Sequence, residues 1–155
     1  MFDQLRFDYL SCTGHPHLHT PHIDWLASQS VRFDRSYVQS PVCGASRMSF
    51  YTGRYTSSHG SSWNGIPLRV GEWTMGDHLR EAGMDALLLG KTHMKVDAEG
   101  MERLGLAPDS IIGARLAECG FDVLVRDDGL WGTGPDGNYD EKSSPYNDYL
   151  RDKGY

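Results

Sequence analysis

The chain has 155 residues, 39% of them hydrophobic and 23% charged, with eighteen glycines, seven prolines and a formal net charge of −6. That balance suits one globular domain with a core of its own and many tight turns, and the negative charge leaves no electrostatic footprint for nucleic acid or an anionic membrane surface. Cys12, Cys43 and Cys119 are widely spaced with no C-x-x-C pair, which argues against a disulfide framework or a structural zinc site, and no apolar run approaches the roughly 18 residues of a membrane span.

In chain order, Met1-Phe2-Asp3-Gln4 reads like the last residues of a strand whose beginning is missing. No signal peptide is visible, which favours the cytoplasm although the start reads as truncated. Four histidines, His15, His17, His19 and His22, crowd the next segment. Residues 20–30 read as a helix with Thr20 as N-cap and Pro21 at its first position. Residues 31–38 alternate Val31, Phe33 and Arg35 with polar neighbours, a strand pattern. A second helix is expected from just after Cys43 to near Gly53. A third is expected over residues 74–82, with Asp77 near its positive end and Gly83 as terminator. Residues 84–90 are short, apolar and not alternating, as in a strand buried on both faces of a parallel sheet. A helix over 109–119 stopped by Gly120, a strand over 121–126, a loop over 127–145 and a short helix over 146–153 complete the reading.

Helices alternating with buried strands define an α/β domain with a mostly parallel sheet flanked by helices. Ligands of such sheets gather where strands end at their carboxyl side. Asp3-Gln4 and Lys91-Thr92-His93 both follow predicted strands, so the chemistry is expected on one edge.

The most specific stretch is Ser40-Pro41-Val42-Cys43-Gly44-Ala45-Ser46-Arg47, followed by Thr52-Gly53-Arg54. It resembles the sulfatase signature, in which C-x-P-S-R is followed after a short apolar stretch by T-G-R. Ala45 stands where that family usually has proline, which bears on the maturation system that would act. In the family the cysteine is oxidised to formylglycine, whose hydrated aldehyde is the nucleophile. The conversion makes physical sense, because a hard divalent cation prefers oxygen ligands to a thiolate. One oxygen of the diol can serve the metal and the attack; the other hydroxyl can later expel the bound group. Cys43 at a helix start meets unpaired N–H groups that favour anions, and Arg47 falls on the same helix face. Alone, C-x-x-x-R would be an ordinary buried thiol and a surface arginine. A tyrosine-phosphatase loop is excluded, because the sixth residue after the cysteine is Ser49.

Two further stretches support the resemblance. Asp3 fits the first member of the acidic pair with which sulfatases bind their metal, while Gln4 replaces the commoner second aspartate. The D-Q form resembles the phosphonate monoester hydrolase branch, whose members act on phosphonate monoesters, phosphate diesters and sulfate esters. Residues 83–93 resemble the second sulfatase signature, a buried strand running into G-K-x-H. Residues two apart on an extended segment point to the same side, so Lys91 and His93 are expected to flank one tetrahedral anion. Asn64, in Trp63-Asn64-Gly65, lies where the phosphonate branch has an active-site asparagine; the same triplet also suits a tight turn. Trp63 is a candidate aromatic wall. His17-x-His19-x-x-His22 invites a zinc reading, but the same region resembles the sulfatase loop leading into a T-P-N-[IL]-D-x-L-A helix, which reads these histidines as loop residues.

The resemblance implies an alkaline-phosphatase-like fold, present here incompletely. Residues 1–155 would form the N-terminal part of a single sulfatase catalytic domain, lacking the first strand and the distal half. It implies hydrolysis of sulfate esters by a formylglycine derived from Cys43, with phosphonate monoester or phosphodiester hydrolysis as the alternative. The implied cofactor is one divalent ion, calcium, or manganese or zinc in the phosphonate branch, held by Asp3, Gln4 and residue 43. Arg47, Lys91, His93 and Asn64 are the implied catalytic partners. The implied partners are a small sulfate or phosphonate/phosphate ester and a formylglycine-generating maturation enzyme, with no nucleic acid, no membrane and a homo-oligomer open. Two other readings stand beside these, a zinc hydrolase built on His17, His19 and His22, and a fragment without turnover.

Overall fold

The computed structural model describes residues 1–107, 110, 119–127 and 145–155. They gather into two units, Met1–Val38 and Gln39–Tyr155.

In the first unit two short 3-10 turns, Phe7–Tyr9 and Ser11–Thr13, lead to helix α1, Pro21–Ser28. Thr20 is the N-cap and Pro21 the first helical residue, as the sequence predicts, but the Thr20 hydroxyl makes no cap bond. It is drawn instead to Asp24, whose carboxylate accepts the Thr20 hydroxyl at 3.0 Å, the Ser11 hydroxyl, and the Cys12 N–H at 2.9 Å. These donors, Ser11 first, hold the Asp24 carboxyl below the usual carboxylate range. One helical carboxylate thus organises the turn ahead of it.

Two expectations fail in this unit. Residues 1–4 form no strand, and neither do residues 31–38, where Val31, Phe33 and Tyr37 are exposed. Alternation provides a face but not a hydrogen-bonding partner, and among the described residues the one strand pairing lies elsewhere in the chain. The segment is instead tied by Arg32, which pairs with Asp34 at 2.6 Å and donates to the Cys12 carbonyl.

In the second unit helices α2 (Cys43–Thr52), α3 (Thr56–His59) and α4 (Met75–Glu81) precede strand β1 (Leu87–Gly90). Helix α5 (Ala98–Arg103), strand β2 (Asp122–Arg126) and helix α6 (Pro145–Asp152) follow. β1 and β2 pair in parallel, from Leu87 opposite Asp122 to Gly90 opposite Arg126, with an irregularity between Leu88 and Leu89. The helix predicted over 109–119 and the loop over 127–145 lie almost entirely outside the described residues.

The core gathers Met48 and Tyr51 of α2 with Leu68, Met94 and Cys119, and Phe121 packs against it. The Tyr51 and Phe121 rings meet edge to face at 5.7 Å. α4 starts with a capping box, in which the Thr74 side chain accepts the Asp77 N–H and the Asp77 carboxylate accepts the Thr74 N–H at 3.0 Å. The residues before β2 press on this helix start, since a Cβ on Gly76 would stand 2.3 Å from the Cys119 carbonyl oxygen.

β1 departs from expectation in its packing. Its apolar run predicts burial on both faces, yet Leu88 is 6% exposed while Leu87 and Leu89 are 59% and 67% exposed. Leu87 and Leu89 share one face of the strand, and no layer covers that face among the described residues. Nor, among those residues, is any helix long and apolar enough to cross a membrane.

Candidate active site

Cys43 is the first residue of α2. Its N-cap, Val42, is extended and has no side-chain acceptor to offer, so the first-turn N–H groups must find partners elsewhere. Asn64 supplies one: its Oδ1 accepts the Gly44 N–H at 2.8 Å. The same oxygen lies 3.3 Å from Cys43 Sγ. Glycine suits position 44, because a Cβ there would stand 2.7 Å from Asn64 Oδ1 and 3.2 Å from its Cα.

The third member is His93, whose Nδ1 is 3.1 Å from Cys43 Sγ. A thiol has one proton to give; with it directed at Asn64 Oδ1, His93 carries its own proton on Nδ1 and donates to sulfur. His93 reaches this position with φ +60, in the left-handed region that non-glycine residues seldom occupy. Lys91 and His93 therefore do not lie two apart on the extended segment that the sequence predicts. β1 ends at Gly90 with φ +94, and the chain is not extended through His93.

Arg47 lies one turn along α2 from Cys43 and is 5% exposed, so it is not a surface charge. Its Nη1 donates to the Lys91 carbonyl at 2.6 Å. The segment after β1 is thus tied to α2 twice, through Arg47–Lys91 and Cys43–His93, and the Lys91 side chain starts from a half-buried position beside it. Of the residues singled out by sequence, the structure brings Cys43, Asn64, His93, Arg47 and the Lys91 backbone together. Asp3 and Gln4 belong to the first unit, both exposed; Gln4 has φ +58 and is, with His93 and Cys119, one of three non-glycine residues in the left-handed region among those described. Backbone outliers of this kind concentrate at functional positions.

Other features take structural roles. Thr52 and Gly53 end α2, the Thr52 hydroxyl accepting the Arg54 N–H at 3.2 Å and Gly53 taking the left-handed cap. Arg54 pairs with Glu72. His15 Nδ1 accepts the Leu18 N–H at 2.8 Å and the His17 N–H at 3.2 Å, holding a local turn. Among the described residues no three His, Cys, Asp or Glu side chains gather closely enough to hold a metal ion.

Two residues escaped the sequence reading. His59, 2% exposed, sits beneath α2 with Nε2 2.9 Å from Ser49 Oγ and Nδ1 accepting the Ser61 N–H at 3.1 Å. Burial pushes its pKa down, Glu72 opposing and Arg54 reinforcing. Lys95 lays its side chain against Gly65, next to Asn64. Neither carries a sequence signal beyond its residue type.

An α/β unit with a polar cluster built on the first turn of a helix, beside the end of a parallel strand, is an anion-receiving architecture. A sequence profile of the Sulfatase family matches residues 1–124, and the chain belongs to that family. It is 36% identical over 106 residues to arylsulfatase A of Homo sapiens, covering 63% of this chain and 20% of that protein. It is 34% identical over 101 residues to an arylsulfatase of Clostridium perfringens, covering 61% of this chain and 20% of that protein. Among solved structures, the phosphonate monoester hydrolase of Agrobacterium radiobacter aligns with TM-score 0.72 at 28% identity over 98% of this chain and 27% of that one. The phosphonate monoester hydrolase of Silicibacter pomeroyi aligns with TM-score 0.71 at 30% identity over 99% and 28%. The chain therefore has the sulfatase-type fold in part, and spans about a fifth to a quarter of the length of these relatives.

Proposed function

We propose that this chain carries the nucleophile side of an ester hydrolase, acting on sulfate esters through a formylglycine made from Cys43 by a maturation enzyme. The observation that carries the reading is the convergence of Asn64 and His93 on Cys43 at the first turn of α2, with Arg47 buried one turn on. The surroundings of Sγ suit the modified residue. An amide oxygen and an imidazole nitrogen are hydrogen-bonding partners that a hydroxyl uses more fully than a thiol does.

Formylglycine would supply a hydrated aldehyde: one hydroxyl would attack sulfur as the alcohol leaves, and the other would lose its proton to expel sulfate and restore the aldehyde. Asp3 and Gln4 offer oxygen donors of the kind a hard divalent cation takes, two of the roughly six it needs, so its other ligands would come from outside these residues. A divalent cation, where bound, would supply Lewis-acid charge. Within this chain, His93 holds or accepts a proton at the reacting atom of residue 43. Asn64 fixes that atom against the helix start through its shared bond to the Gly44 N–H. Arg47, fixed by the Lys91 carbonyl, places a permanent positive charge beside the helix start, and Lys91 adds a second.

Phosphonate monoester or phosphodiester hydrolysis is the second reading. Gln4 favours it, as does alignment of nearly the whole chain with two phosphonate monoester hydrolases. The test uses the full-length product of the reading frame, co-expressed with a formylglycine-generating enzyme. Replacing the CH2–SH group by an aldehyde should lower the mass of the residue-43 peptide by about 18 Da. Turnover of an aryl sulfate and an aryl phosphonate, abolished by C43A, separates the two readings. A thiol that stays unmodified, or hydrolysis that survives C43A, overturns both.

A further inference from the structure

Lys95 is an exposed lysine whose side chain does not extend away from the protein. Its Cδ, Cε and Nζ lie 3.9, 3.8 and 3.6 Å from the position a Cβ would take on Gly65. Gly65 has φ +84 and directly follows Asn64, whose Oδ1 is bound to the Gly44 N–H and lies near Cys43 Sγ. The root of Lys95 is held on both sides. Met94 before it is buried, with its carbonyl accepting Arg126 Nη2 at 2.8 Å. Asp97 after it caps α5 and accepts the Val70 N–H at 3.1 Å. No carboxylate pairs with the Lys95 ammonium among the described residues. With an anchored root, a stem laid on glycine and no ion-pair partner among the described residues, Lys95 places a charge beside Gly65, next to Asn64.

We propose that Lys95 forms a second anion subsite beside that cluster, selecting esters whose alcohol portion carries an additional negative charge. The inference rests on the ester hydrolase reading and deepens it. On this proposal the scissile group is received by Arg47, Lys91 and the helix start, and Lys95, laid against Gly65 one residue beyond Asn64, meets the second charge. The partner chemistry is a small dianionic or polyanionic ester, because a single ammonium with three donors matches one sulfate, carboxylate or phosphate oxygen cluster. A ligand with one anionic group fills the first site and leaves Lys95 in water.

The test measures binding of benzenesulfonate and benzene-1,3-disulfonate, which cannot be hydrolysed, to the full-length protein by titration calorimetry at low salt. The disulfonate should bind about tenfold more tightly than the monosulfonate, the scale of one charge-assisted contact. Lys95→Met keeps the stem against Gly65 but removes the charge, and should bring the ratio of the two affinities close to one. Lys95→Arg should keep the preference. A wild-type protein that binds both sulfonates equally, or a preference that K95M retains, overturns the second subsite while leaving the first intact. Failure of the wild type to bind either sulfonate overturns the anion site itself and this inference with it.

Discussion

His93 places its Nδ1 3.1 Å from Cys43 Sγ by adopting a left-handed backbone, with φ +60. The conformation costs a non-glycine residue roughly 1 kcal/mol, and glycine almost nothing. His93→Ala and His93→Gly both remove the imidazole, but only the alanine variant retains the backbone cost. H93G should therefore be the more stable of the two by about 1 kcal/mol in urea denaturation, with hydrolysis lost in both. Equal midpoints, or a more stable H93A, would show that the backbone at 93 is not strained.

Gly44 and Asn64 form a coupled pair. A Cβ at 44 would meet Asn64 Oδ1 at 2.7 Å, and Asn64 Oδ1 accepts the Gly44 N–H at 2.8 Å. Gly44→Ala should destabilise the fold by about 1–3 kcal/mol through overpacking and displace the asparagine from Cys43. Asn64→Ala removes the oxygen that is struck first, so its cost in the G44A background should be smaller than in the wild type. Strictly additive losses in the four-member cycle would mean that the contact does not carry the effect.

The start of α2 at Cys43, its end at Gly53 and the α4 helix were legible because each is fixed by its own residues, and the two strands because their apolar runs also found each other as partners. Gly53 and Gly83 supply φ +66 and +75 where helices stop, and Thr74 with Asp77 closes a box four residues long. What the sequence hid depends on partners distant in the chain. Val31, Phe33 and Arg35 alternate like a strand, but alternation names no pairing partner. Leu87 and Leu89 read as buried because a run of leucines does not say whether a layer covers both faces. Within the candidate site, residue types were legible and backbone geometry was not. No pattern around His93 announces a left-handed residue, and nothing marks His59 or Lys95 apart from any surface histidine or lysine.

Thr74 tests how firmly the residues before β2 are held. Its one hydroxyl proton is shared between the Asp77 carboxylate at 2.9 Å and the Cys119 carbonyl, and Thr74 is 2% exposed. Thr74→Ala loses the cap and leaves a buried carbonyl short of a donor, a cost of about 2 kcal/mol. Thr74→Ser keeps the hydroxyl and should recover most of it. If T74A and T74S have the same midpoint in urea, the hydroxyl is not what joins α4 to Cys119.

His59 ties the pH dependence of stability to the helix that bears Cys43. Its Nδ1 accepts the Ser61 N–H at 3.1 Å, so that nitrogen must be unprotonated in the fold, while Nε2 meets Ser49 Oγ of α2 at 2.9 Å. Burial lowers its pKa from the usual 6.5, with Glu72 opposing and the Arg54 charge reinforcing. The unfolded chain takes up the proton first as pH falls. Stability from the neutral imidazole is therefore complete above the unfolded value of 6.5 and is lost as pH drops from there toward the lower folded value. The slope from this one group is at most about 1.4 kcal/mol per pH unit. Urea midpoints of the wild type should fall between about pH 7 and pH 5, whereas His59→Ala, less stable throughout, should show a shallower slope over that window. The window lies above the range in which Asp24, held low by Ser11, Thr20 and Cys12, takes up its proton. Parallel slopes in the two proteins would mean that protonation at 59 is not what loosens the fold in acid.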